Sequence, residues 1–365
     1  ENDDGSPEIV GVSTFSATSF FVPPKGSTAE RPSDCEPGSI RFNTDTANLE
    51  YYRGKILGWS QFELVTSNLG GGTGSNTGTG TRALFAGGLT PSLSDVIDFL
   101  TISTLGDTQD FGDISAGKQA MSAVGSRTRA LNLGGYTTGY ENEIEFVTFA
   151  SQGNITDFGN LTSNKNRIAS CSDQVRGITG GGNPNTNVIE YLTIAQTGNG
   201  VDFGDLTVAR QSAGSFSSST RGVFAGGYIE PTYSDTIDFI TISSTGNATD
   251  FGNLTSIRMY MGSSSNSTRG IMGGGLGASR TNTIEFVTIA TTSDATNFGD
   301  LTSSRTDLAG ASSSTRAVFV SGDTPTLVNT IDFVEILTTG DAIDFGDQTT
   351  KRDRPSGCSN GHGGL

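Results

Sequence analysis

The strongest constraint on this chain is a phrase repeated six times. An arginine recurs at positions 82, 129, 176, 221, 269 and 316, at intervals of 45 to 48 residues. Each opens a short apolar run ending in small residues, from Ala-Leu-Phe-Ala-Gly-Gly at 83–88 to Ala-Val-Phe-Val-Ser-Gly at 317–322. A loop of variable length follows. Next comes a run with an acid in its third position: Asp98, Glu145, Glu190, Asp238, Glu285 and Asp332. Each unit then carries Asp-Phe-Gly, or Asn-Phe-Gly at 297–299, and a Lys or Arg at 118, 165, 210, 258, 305 or 352 that starts the next strand. A period of this length predicts one supersecondary unit per repeat, stacked on its neighbours because it cannot bury its apolar face alone.

Each unit reads as four short strands, rich in β-branched and aromatic residues and bounded by turn formers, which is the size of one propeller blade. Glycine is abundant (51 of 365) and charged residues make up only 16%. Such a composition can be disordered, but Phe, Ile and Val recur here in register, so ordered β-structure is expected. The order of basic residue, Gly/Ser strand, apolar strand ending in Gly-Gly, acidic-aromatic strand and aromatic-Gly turn resembles the kelch repeat. The departure is Phe111, Phe158, Phe203, Phe251, Phe298 and Phe345 where kelch repeats carry Trp. The first unit lacks the strand that should precede its Arg. The stretch from Arg352 to His362 aligns with residues 210–220 and supplies it. The expectation is therefore an all-β chain: a six-bladed, kelch-like β-propeller over 81–365, closed by the C-terminal strand, plus a small N-terminal β module. An open array would need polar capping repeats, and the sequence shows none.

Residues 1–66 do not carry the repeat. Residues 9–22 read as an extended arm, residues 39–54 as a β-hairpin, and Gly58-Trp59-Ser60-Gln61-Phe62 as a third strand. A Gly/Ser/Thr run at 67–80 reads as a flexible linker. The stretch Pro24-Lys25-Gly26-Ser27-Thr28-Ala29-Glu30-Arg31-Pro32, continued by Gly38 to Tyr52 and Gly58-Trp59, resembles a module of tailed-phage structural proteins, especially those of marine cyanophages. Lys55-Ile56-Leu57 is inserted relative to that pattern. The resemblance implies a virion structural protein at the virion surface, attached to other virion proteins through this module as an oligomer.

Several chemistries lack their residues. One histidine, His362, excludes a His-based triad or His-rich metal site, and its alignment with Thr220 places it in a turn or on the surface. Galactose oxidase shares the kelch fold, but its copper site needs two His. The Ser-x-Asp boxes of sialidases are absent. Asp-Phe-Gly has no kinase partners, and the glycine runs lack the Gly-Lys-Ser/Thr of a P-loop. Asp107, Asp110 and Asp113 lack EF-hand spacing. No cofactor and no metal are expected. A formal charge of −16 disfavours nucleic-acid phosphates. No stretch approaches the ~20 apolar residues of a membrane helix, so no membrane insertion is expected. Cys171 and Cys358 align on the first, innermost strand of non-neighbouring units, beyond the ~7 Å Cα limit for a disulfide, and are expected free and buried. The repeated acids and arginines are assigned to blade-to-blade pairing and turn bonding, because a residue present in every unit serves the unit.

What breaks the repeat is the loop after Gly-Gly, different in each unit. These loops should cluster on one face, where a rigid scaffold presents binding residues. The candidates are Tyr136, Tyr140, Asn183, Tyr228, Tyr233 and Arg280, facing a host-cell glycan or surface protein. The expected function is host attachment by a tail-fibre, tail or capsid-surface component, without enzymatic activity. The alternatives are a purely architectural decoration protein and a secreted propeller enzyme. The enzyme would need a polar cluster on the axis unique to one or two units, and none is visible in the sequence.

Overall fold

A computed structural model describes residues 23–46, 48–61 and 81–365. The expected arm at 9–22 and linker at 67–80 lie outside the described residues. The chain divides into two compact units, 1–66 and 67–365.

In the first unit, Ile40–Asn43 and Asn48–Tyr52 form the expected hairpin, and Trp59–Gln61 adds to its far side. Lys25–Gly26 runs parallel to the end of Ile40–Asn43. The residues between Arg53 and Gly58 form an exposed turn, so the third strand survives the insertion. The centre of the unit is polar. Glu50 is fully buried, pairs with Arg31 and accepts from Asn43 Nδ2 at 2.8 Å. The Arg31 guanidinium holds the Glu50 carboxyl below its usual range. Trp59 packs on Tyr52 with ring centroids 5.3 Å apart and donates Nε1–H to the Pro32 carbonyl at 2.9 Å.

The second unit holds six four-stranded antiparallel sheets, and the arrangement is all-β and propeller-like. Sheet 2 shows the pattern. Ser122–Gly125 pairs with Arg129–Tyr136, which pairs with Tyr140–Thr148, which pairs with Thr156–Asn160. Sheets 3 to 6 repeat it, starting at Ala169, Gly214, Gly262 and Ala309. Sheet 1 takes three strands from residues 82–113 and its first strand, Ser356–Ser359, from the other end of the chain, with Cys358 opposite Leu84. The recurring Lys or Arg does not start a strand, as the sequence reading had it. It sits in the loop entering each sheet, and the strand begins four residues later. From that loop its side chain reaches the acid on the third strand of the sheet it enters, as Arg210 reaches Asp238.

The described residues of this unit form no single core. Six apolar clusters lie between successive sheets, and the strand alternation feeds two of them at once. Leu84 and Ala86 pack toward sheet 2, while Ala83 and Phe85 pack toward sheet 6. A strand buried on both faces reads as a continuous apolar run, which is why Ala-Leu-Phe-Ala shows no polar alternation.

The repeated residues tie each sheet to the next. Arg82 stacks on Phe99 of its own sheet and donates Nη1–H to the Phe149 carbonyl of sheet 2 at 2.5 Å. Arg129, Arg176, Arg221 and Arg269 reach forward likewise, and Arg316 reaches from sheet 6 to the Ser103 carbonyl after sheet 1. The Asp-Phe-Gly phenylalanine packs edge-on against the aromatic under that arginine, as Phe111 does on Phe99 at 5.9 Å. Its glycine is required by close approach. Gly204 has φ +149°, and a Cβ there would lie 2.4 Å from the Gly246 carbonyl oxygen of the next sheet.

The repeated acids receive the incoming loops. Asp238 accepts from Arg210 at 2.9 Å and from Thr207 Oγ1 at 2.6 Å, and both side chains of the ion pair are fully buried. Lys118–Glu145, Lys165–Glu190, Arg258–Glu285, Arg305–Asp332 and Arg352–Asp98 repeat the pairing. Burial pushes the Arg210 guanidinium down and the Asp98 carboxyl up, each opposed by its partner. These acids therefore lock inter-sheet loops and form no ionic site on the axis.

Candidate site at the axial mouth

The first strands of the six sheets line a narrow central cavity of about 50 Å3. Its walls are serine-rich. Ser172 Oγ donates to the Gly125 carbonyl at 2.8 Å, Ser217 to Ser172, Ser265 to Ser217 and Ser312 to Ser265 at 2.7 Å each, and Ser359 to Ser312. Gly125 is the one member of this ring without a hydroxyl. His362 sits there. Its Nε2 lies 2.9 Å from the Gly125 carbonyl and 3.2 Å from Ser172 Oγ, and the Gly363 N–H donates to the Ser265 carbonyl at 2.8 Å. The turn predicted for His362 is present, but its imidazole is docked at the end of the cavity rather than on open surface.

The opposite end is built differently. Ala120, Arg167, Ser212, Tyr260, Asp307 and Arg354 all have φ between +53° and +59°. Each donates its backbone N–H to the carbonyl of the preceding member, at 2.9–3.1 Å, and Ala120 donates to Arg354 to complete the cycle. The backbone is the same in every sheet, while the side chains differ in most of them. Such left-handed conformations cost a non-glycine residue roughly 1–3 kcal/mol, and they cluster at functional sites.

These residues surround a cavity of about 110 Å3 floored by Met121, Met261 and their equivalents. Arg354 pairs with Asp307 at 3.2 Å and donates to Gln119 Oε1 at 2.9 Å. Burial raises the Asp307 carboxyl and the Tyr260 hydroxyl above their usual values, and it pushes Asp353 up to about 6. The Arg167 guanidinium lies 4.9 Å from the Tyr260 ring centroid and has no ion pair or side-chain hydrogen bond among the described residues. The sequence reading found no polar cluster on the axis unique to individual units. The structure places one there. Its members lie two residues beyond each repeated Lys or Arg, an offset the repeat alignment contains but does not mark, because their side-chain types do not repeat.

The variable loops adjoin this mouth. The residues before the ring members bridge to the loop starts: Gln119 to Tyr136, Asn166 to Asn183, Gln211 to Tyr228, Met259 to Leu276, Thr306 to Asp323 and Asp353 to Leu89. Among the sequence candidates, Tyr136 and Tyr140 meet edge-on at 5.8 Å, and Asn183 Nδ2 donates to the Tyr140 hydroxyl at 3.2 Å. Tyr228 and Tyr233 form a second pair at 5.9 Å. Arg280 is taken up by Asp323 of the next sheet. Among the described residues no group of three or more His, Cys, Asp or Glu is placed to hold a metal.

No protein-family model matches the chain, and no curated protein matches it.

Proposed function

We propose that residues 81–365 are a six-bladed, kelch-like propeller closed by Ser356–Ser359, acting as a non-enzymatic recognition module. The observation that carries this reading is the gathering of all six variable loops, with two tyrosine pairs, around one mouth of the axis. The unbroken cycle of six backbone hydrogen bonds at that mouth supports the blade count. Binding is favoured over catalysis by the state of the polar groups. Asp307 is engaged by Arg354, and burial pushes Tyr260 away from ionising. The setting we propose is the surface of a tailed-phage virion, with residues 1–66 attaching to other virion proteins and the loop face meeting a host-cell glycan or surface protein. The support is the ordered motif at 24–59, whose Asn43 and Glu50 are buried at the centre of that unit and whose Arg31 and Trp59 close over them from a partly exposed position.

The test uses full-length protein, labelled and applied to a glycan array and to intact bacterial cells. Binding that is lost when Tyr136 and Tyr228 are both replaced by Ala supports the reading. Full retention in that variant, or no binding to any surface, removes it and leaves the decoration role.

A further inference from the structure

The mouth ring has one feature that neither the scaffold nor the loops require. Each repeated cation of the six sheets is engaged: six with buried acids and six with carbonyls of the following sheet. Arg280 and Arg354 pair with aspartates. Arg167 is half-buried, lines the 110 Å3 cavity and makes no ion pair among the described residues, although its charge reaches the Asp307 carboxyl across the cavity. Its contact with the Tyr260 ring, 4.9 Å from the centroid, holds the guanidinium at the cavity wall and reduces the rotamer freedom left to lose on binding. Asparagine or glycine would hold the left-handed backbone at lower cost, yet position 167 carries a long cation.

We infer that this mouth binds the carboxylate of an acidic sugar, with Arg167 as the residue that grips it. A planar guanidinium fork matches a carboxylate with two parallel hydrogen bonds. One unpaired positive charge fits a monoanion. A phosphate dianion brings a second negative charge that Arg167 and Arg354, already offset by Asp307, do not balance, so it is disfavoured. A sugar is favoured over a simple acid by an open hydroxyl in the wall. Ser212 Oγ lines the cavity and has no hydrogen-bond partner among the described residues, and a polyol supplies one. The floor of Met121 and Met261 offers an apolar surface to the C–H face of a pyranose. The cavity admits one acidic residue of a glycan, with the rest of the chain lying over the tyrosine-bearing loops.

This inference rests on the reading of the loop face as a recognition face, and the experiment separates the two. Full-length protein is titrated calorimetrically with D-glucuronate, D-glucose and inorganic phosphate, alongside the array. Glucuronate should bind, glucose and phosphate should not, and Arg167→Gln should lose at least tenfold in affinity. Arg127→Gln, at an exposed arginine, should change nothing. If Arg167→Gln proves unstable, Arg167→Lys keeps the charge without the fork and should bind measurably more weakly. Array binding confined to neutral glycans overturns the inference and leaves the recognition reading standing. Glucuronate affinity unchanged in both Arg167 variants, or phosphate binding more tightly than glucuronate, also overturns it. No binding to any glycan, cell or acid removes both readings.

Discussion

His362 Nε2 lies 2.9 Å from the carbonyl oxygen of Gly125, the one residue of the axial serine ring that has no hydroxyl. The other ring nitrogen settles the tautomer. Gly364 N–H donates to Nδ1 at 3.1 Å, so Nδ1 carries a lone pair and Nε2 carries the proton. The docked imidazole is therefore neutral, and burial lowers its pKa against the opposing pull of the Gly125 carbonyl and of Asp173. A lowered histidine pKa means that the unfolded chain binds the proton more readily. The contribution of His362 is then full above the unfolded value near 6.5 and is lost as pH falls below it. His362→Ala should lower the melting temperature at pH 7.5, by a loss of about 1 kcal/mol for each hydrogen bond removed. The gap between wild type and variant should shrink toward pH 5. A gap that is constant across that range would contradict the assignment.

Asp238 and Arg210 are both without solvent exposure. Asp238→Asn removes the counter-charge and leaves a buried guanidinium. Breaking such a pair costs about 3–5 kcal/mol, whereas replacing both partners with apolar residues of similar volume is often neutral or stabilising. Denaturant unfolding of Asp238→Asn should show that loss, and the double variant Arg210→Met, Asp238→Leu should recover most of it. Equal losses in the two would mean that the hydrogen bonds to Thr207, Thr236 and Phe224, rather than the charge pair, hold the loop.

The features common to all units were legible in the sequence for one reason. Arg82, Gly112, Asp98 and their counterparts each serve a contact between neighbouring sheets, and six identical contacts impose six similar residues. The fourth strand of sheet 1 was legible because the first unit lacked a strand that residues 352–362 could supply. The polar mouth was not legible. At Ala120, Arg167, Ser212, Tyr260, Asp307 and Arg354 the geometry constrains only the backbone, through the hydrogen-bond cycle, and leaves side-chain type free. Alignment by residue type passes over such a position. Arg280 shows the converse: its loop position suggested a free binding residue, but Asp323 comes from the next sheet, a proximity that no local spacing encodes.

Gly204 tests the between-sheet approach. Gly204→Ala places a methyl group 2.4 Å from the Gly246 carbonyl oxygen, on a backbone at φ +149° that alanine rarely adopts. Neither the carbonyl nor the φ can relax without moving sheet 4 from sheet 3. The loss should exceed the roughly 1–3 kcal/mol of ordinary overpacking. Gly139 is the control, with open space around its Cβ direction and no positive φ. Gly139→Ala should stay within about 0.5 kcal/mol of wild type, as surface changes do. Similar stability in the two variants would show that the sheets slide apart more easily than the contact implies.

The cysteines report on the pairing of the C-terminal strand. Cys171 and Cys358 are free and buried, as expected from their alignment, and burial pushes both thiols up to about 12. Cys35 is partly exposed. Thiolate, not thiol, attacks disulfide reagents. Native protein at pH 8 should therefore release one equivalent rapidly from Ellman's reagent, and three in denaturant. The two buried thiols should then separate under mild denaturation. Cys171 lies on a strand joined by a tight turn to its partner Arg176–Gly180. Cys358 lies on Ser356–Ser359, whose partner Arg82–Ala86 is at the far end of the repeat region. Peeling that strand from sheet 1 undoes no hairpin, so it is the cheapest local opening expected. Pulse labelling with iodoacetamide at sub-transition urea, mapped by mass spectrometry, should modify Cys358 well before Cys171. Simultaneous labelling would mean that the six sheets open only as one cooperative unit.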